Sequence, residues 1–182
     1  MVPTVHILIP AAGASSRMQG RDKLLEPVGR GTLLRHVVEV ALATTAPVVV
    51  ALPPGADSRR SALADLAARL VEVTDAGLGM AHSMIGGLAA IRTEARPEGG
   101  LLVLPADMPE FTAPALADLI SRFRAEPELI FRGGTVDGQP GHPVIFPRDL
   151  WPELERLAGD EGGRSVLQRH RDRVRVIPLP GP

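Results

Sequence analysis

Between Val5 and Pro10 the chain runs VHILIP, six residues with no charge and none of the polar–apolar alternation that marks a half-exposed strand. Such a strand is buried on both faces, and strands of that kind belong to parallel sheets covered by helices on either side. Val48 to Leu52 (VVVAL) and Leu101 to Leu104 (LLVL) repeat the pattern, and Leu129 to Arg132 repeats it more weakly. Between these runs, apolar residues recur at three- and four-residue spacing. The sets are Leu33, Leu34, Val37, Val38, Ala41 and Leu42; Leu63, Leu66, Ala67 and Leu70; and Leu116, Leu119, Ile120 and Phe123. Each predicts a helix with one buried stripe. The βαβα order predicts an α/β fold, a three-layer Rossmann-like sandwich with a mostly parallel central sheet and right-handed crossovers.

With 182 residues, 45% of them apolar, the chain can fill one core, and residues 1–182 are read as a single domain. From Gly133 to about residue 165 glycines and prolines accumulate around a short strand at Pro143 to Phe146. This segment is expected to be a loop-rich appendage over the functional site, and Pro178 to Pro182 a frayed end. A net charge of -1 from interspersed charges gives no basic face, so no nucleic-acid partner is expected. The absence of cysteine excludes disulfides, thiolate catalysis and thiolate metal sites. Neither a signal peptide nor a membrane span of about 20 apolar residues is present, which predicts a soluble, cytoplasmic protein.

The first strand ends in Ala11, Ala12 and Gly13, and Arg17 and Lys23 follow. In a doubly wound sheet ligands sit beyond the carboxyl ends of the strands. Small residues there let an anion reach backbone N–H groups, with the two cations nearby. The dinucleotide fingerprint GxGxxG, the P-loop and the hydrolase elbow all fail to match. On charge alone, Arg17 and Lys23 could equally be solvated surface residues.

Asp107 emerges from the Leu101 to Leu104 strand at the same sheet edge, in Leu104-Pro105-Ala106-Asp107-Met108-Pro109. A carboxylate there can hold Mg²⁺, a hard cation that bridges to phosphates and keeps several waters. A capping or turn role is the alternative, although Thr112 is the better cap for the helix opening at Ala113-Pro114.

Met80, Met84, Leu88 and Ile91 form a helical stripe, read as core. Ser83, Gly86 and Gly87 form a second line, and each glycine costs the helix roughly 1 kcal/mol relative to alanine, so something packs close to them. That neighbour is a ligand or the sheet. His82 faces an acceptor substrate or solvent. Further on, Gly138-Gln139-Pro140-Gly141-His142-Pro143-Val144 and Gly159-Asp160-Glu161-Gly162-Gly163-Arg164 could receive a second phosphate on His142 and Arg164, with Asp160 as a second metal ligand. The bland alternative is a turn and a helix start.

Ile9-Pro10-Ala11-Ala12-Gly13-Ala14-Ser15-Ser16-Arg17-Met18-Gln19-Gly20-Arg21-Asp22-Lys23-Leu24-Leu25 resembles the first loop of the MobA-like NTP transferases, L-A-(A/G)-G-x-S-x-R-M-G-x-x-(D)-K-L. L-P-A-D-M-P is similar to the metal-binding motif of that family. G-M-A-H-S, G-H-P-V and G-D-E-G-G-R resemble segments of its molybdenum-cofactor cytidylyltransferase (MocA-type) branch. The resemblance implies a nucleotide-diphospho-sugar transferase type of fold. It implies that Ala11, Ala12, Gly13, Ala14 and Ser15 cradle a nucleoside triphosphate, with Arg17 and Lys23 over the phosphates and Asp107 carrying the catalytic Mg²⁺. Ser83, Gly86 and Gly87 then lie beside the base, and His82, His142 and Arg164 on the acceptor side.

The implied reaction moves CMP from CTP to the terminal phosphate of molybdopterin and releases pyrophosphate, with a molybdoenzyme as eventual recipient. Gln19 departs from the usual glycine, and the Arg17 to Lys23 spacing resembles the guanylyltransferase branch, whereas Ala12 speaks for cytidine. GTP, or a sugar or polyol phosphate acceptor, is the nearer alternative. A non-catalytic cofactor carrier or insertion chaperone is the more distant one.

Overall fold

The computed structural model describes residues 2–13, 21–75, 79–92, 98–159 and 162–179. Strands β1 (Val5–Pro10), β4 (Val48–Leu52), β5 (Arg69–Glu72), β6 (Gly100–Val103), β7 (Ile130–Gly134), β8 (Pro140–Pro147) and β9 (Val174–Pro178) form one sheet in the order β5-β4-β1-β6-β8-β7-β9. A separate two-stranded ribbon pairs β2 (Pro27–Val28) with β3 (Gly31–Thr32). In the large sheet β1 pairs in parallel with both β4 and β6, β4 with β5, and β7 with β9. β8 alone runs against its neighbours, β6 and β7.

The uncharged run at the N-terminus is the middle of this sheet. Val5, Ile7, Leu8 and Ile9 each have no solvent exposure. Side chains alternate across the pleat. Val5, Ile7 and Ile9 join a core with α1 (Leu33–Leu42) and α4 (Ala113–Ala125), while Leu8 joins a second core with α3 (Met80–Arg92) and α5 (Trp151–Leu154). Two cores on opposite faces of one mostly parallel sheet are the three-layer sandwich that the apolar strands predicted. Thr32 caps α1 by accepting from Arg35 N at 3.2 Å, and Thr112 caps α4 by accepting from Ala115 N at 3.4 Å. Thr112, not Asp107, is therefore the cap of α4.

The structure differs from the sequence expectations in three places. Leu63, Leu66, Ala67 and Leu70 do not form a helix. α2 spans Asp57–Ala62 and stops at Leu63, and Leu70 lies in edge strand β5. Their helical spacing arises because a turn and then a strand each drop a leucine onto the same core, where Leu63 is 1% exposed. The glycine-rich segment is more than a cover, since β8 enters the sheet itself and buries Val144, Ile145 and Phe146. The C-terminal stretch is ordered further than expected: Pro178 ends β9, and buried Leu179 donates its N–H to Gly134 O at 2.9 Å. No helix among the described residues is long and apolar enough to cross a membrane.

Candidate active site

β1 and β6 lie side by side and end at the same edge, which brings the loops after them together. Ala11 N–H donates to Ala51 O at 2.9 Å and Leu104 N–H to Leu8 O at 2.9 Å, so the sheet pairing continues one step past β1 and β6. Ala11 and Gly13 face a cavity of about 350 Å³, together with Pro10, Lys23, Pro105 and Asp107. Among the described residues, a Cβ on Gly13 would meet nothing within 4 Å. Ala12 points into the core beneath α3 and is 3% exposed.

Lys23 opens a short 3-10 turn, Lys23–Leu25, which Asp22 caps by accepting from Leu24 N at 3.0 Å. Its Nζ lies 3.2 Å from Asp107 Oδ2, across 84 positions of sequence. Both side chains are about half exposed, 48% and 54%. An ion pair so open to water adds at most about 1 kcal/mol to stability. What the pair provides is a cation and a carboxylate converging on one concave surface.

Sequence reasoning missed Arg59. It lies in α2, is 6% exposed, and grips Asp22 with two bonds, Nε to Oδ2 at 2.6 Å and Nη2 to Oδ1 at 3.0 Å. Its Nη1 donates to Ala11 O and, at 3.5 Å, to Gly13 O. One buried guanidinium therefore ties the turn that carries Lys23 to the end of β1. Within Asp57-Ser58-Arg59-Arg60 nothing distinguishes it from a solvated neighbour, so no sequence signal could have found it.

A larger cavity of about 1050 Å³ adjoins the first, sharing Met80, Val103 and His142 with it. His142 and Arg164, both expected on the acceptor side, line it together with Arg132 and Arg171. His142 sits on β8 across from Gly133 on β7. A Cβ there would fall 2.2 Å from His142 O, so β7 can pass beneath only as glycine. Desolvation in the cavity wall, followed by the positive charge of Arg132, holds the His142 pKa below the ordinary imidazole value, with Asp107 pulling the other way. Met80, read as core, is instead 51% exposed at the junction of the two cavities.

Ser83, expected beside the base, is 2% exposed, and His82, expected on the acceptor side or in solvent, is partly buried; neither is among the described residues that line the two cavities. A Cβ on Gly86 would lie 2.6 Å from Val73, and one on Gly87 2.2 Å from Leu8. The sheet, then, is the close neighbour of both glycines. Ala14, Ser15, Arg17 and Asp160 lie outside the described residues.

No group of three or more His, Cys, Asp or Glu suited to a metal ion occurs among the described residues. Asp107 by itself fits a hard divalent cation that takes one or two protein carboxylates and completes its shell with water and substrate phosphates. Such a cation and Lys23 would share the same carboxylate.

The profile of the MobA-like NTP transferase domain matches residues 7–174. The chain belongs to this family. It is 36% identical over 126 residues to the 2-C-methyl-D-erythritol 4-phosphate cytidylyltransferase of Ralstonia nicotianae, a match covering 65% of this chain and 50% of that one. The chain thus spans about half the length of that curated relative. Among solved structures, Rv0371c of Mycobacterium tuberculosis superposes with a TM-score of 0.82 at 26% identity, covering 100% of this chain and 91% of that one. A manganese complex of Rv0371c superposes with a TM-score of 0.74 at 23% identity, over the same shares of the two chains. The fold is the one expected of that family.

Proposed function

We propose that this protein transfers CMP from CTP to the terminal phosphate of molybdopterin, or of a molybdenum-bound form, and releases pyrophosphate. The observation that carries the reading is the meeting of Lys23 and Asp107 in the cavity beyond β1 and β6. Gly13 offers its backbone to the triphosphate, and Lys23 places positive charge where negative charge grows as the acceptor's phosphate oxygen attacks the α-phosphorus. The bond from that phosphorus to pyrophosphate breaks, and pyrophosphate departs. The acceptor phosphate is already anionic, so positioning and charge neutralisation suffice without a strong base. A divalent cation on Asp107, Mg²⁺ in this reading, supplies further neutralisation when bound. Arg17 acts over the phosphates, as the family resemblance implies, and Asp160 acts as a second metal ligand by the chemistry of its carboxylate. His142 and Arg164 receive the acceptor.

CTP is favoured by the cytidylyltransferase relative and by the G-H-P-V phrase around His142. That same relative favours a second reading of the acceptor, a polyol phosphate. Pyrophosphate release from CTP and from GTP, each with and without molybdopterin, separates these readings. Release only with CTP and molybdopterin is expected. Asp107→Ala is expected to lower that release by about 10² to 10³-fold with the unfolding midpoint unchanged. Unaltered turnover in the variant removes the metal role of Asp107, and binding of mature cofactor without any turnover makes the protein a carrier.

A further inference from the structure

The larger cavity holds positive charge that nucleotide binding does not use. Arg132 on β7 is partly buried, and its Nε and Nη2 both donate to Gly141 O, at 3.0 and 2.9 Å. That partner is neutral. Burial holds the guanidinium pKa below its ordinary value. A charge withdrawn from water is costly unless an opposite charge meets it. No acidic side chain is among the described residues lining this cavity, while Arg164, Arg171 and His142 are. Much of the remaining wall is apolar, with Val144, Phe146 and Leu167 among its residues.

In the proposed reaction the attacking phosphate works in the other cavity. It has to reach an α-phosphorus beside Lys23 and Asp107, which line the smaller cavity, whereas Arg132 lines only the larger one. His142 lines both cavities and feels the charges of both Arg132 and Asp107.

We propose that Arg132, with Arg164 and Arg171 around it, binds a second anionic group of the acceptor, distinct from the phosphate that attacks. The acceptor then carries an anionic group besides the attacking phosphate, and an apolar or aromatic part of it lies along Val144 and Phe146. This rests on nucleotidyl transfer in the smaller cavity and adds the class of the acceptor.

Titration calorimetry with phenyl phosphate, a phosphate on an aromatic body, tests the assignment with and without saturating CTP and Mg²⁺. Binding is expected in both conditions. Arg132→Gln, which can still donate to Gly141 O, is expected to weaken it about tenfold or more, the scale of one lost charge-assisted hydrogen bond. Arg132→Lys is expected to keep most of the affinity, and the unfolding midpoint of each variant is the fold control. Displacement of phenyl phosphate by CTP would assign it to Lys23 and overturn the proposal. Equal affinity in wild type and Arg132→Gln overturns it as well, as does absence of binding to the wild type. Failure of the nucleotidyl-transfer reading registers separately, as absence of CTP binding in the same instrument.

Discussion

Arg59 and His142 show how far a residue's role depends on what surrounds it. Arg59 spans two loops that neither it nor its helix contains, and its value to the site lies in fixing Lys23 relative to Gly13. The lysine itself stood out in the sequence because it lies within a recognisable loop, whereas the buried cation that steadies it carries no pattern. His142 was legible as an acceptor-side residue, but its electrostatic setting was not, because Arg132 and Asp107 reach it from other strands and loops. A lowered imidazole pKa means that the folded protein resists the proton that the unfolded chain accepts, so stability falls as the pH drops below the ordinary value of 6.5. By NMR the His142 ring is expected to titrate below 6.5 and to move upward in Arg132→Gln, which removes the repulsion. A downward move would contradict the assigned cause.

At the scale of elements, α3 shows one signal with two readings. Gly86 and Gly87 told correctly that something approaches the helix closely, and the structure identifies Val73 and Leu8 as the neighbours. Gly87→Ala should gain about 1 kcal/mol of helix propensity and lose about 1–3 kcal/mol to overpacking against a leucine with no exposure of its own. The overpacking is expected to win, lowering the denaturant midpoint with CTP affinity retained. Loss of CTP affinity at unchanged stability would point to a ligand contact at the glycines. α2 and β5 teach the converse lesson: Leu63, Leu66 and Leu70 reach one core from a turn and an edge strand while Ala67 is exposed, since burial by a tertiary neighbour can produce the spacing that a helix produces.

For the whole molecule, the site exists because parallel strands β1 and β6 end together and β8 returns antiparallel beside β6, carrying His142 to the cavity they border. A nucleotide that binds only this folded arrangement stabilises it by mass action, about 2.7 kcal/mol at a hundred times its dissociation constant. For a chain of 182 residues that corresponds to a melting shift of about 5–10 °C. The shift is expected with CTP and Mg²⁺, and a larger one with GTP would reassign the base.

The sequence by itself determined the layered α/β fold, the two loops that carry Lys23 and Asp107, and the family. These are local properties: burial of a strand on both faces shows in its composition, and a phosphate loop is a contiguous run of small and cationic residues. Only the tertiary structure decided that Lys23 meets Asp107, that Arg59 braces the loop, that the strand expected at Pro143 to Phe146 joins the main sheet antiparallel to β6, and that the larger cavity gathers positive charge. Those facts depend on residues tens of positions apart converging through strand order, and that order follows from the packing of the complete sheet.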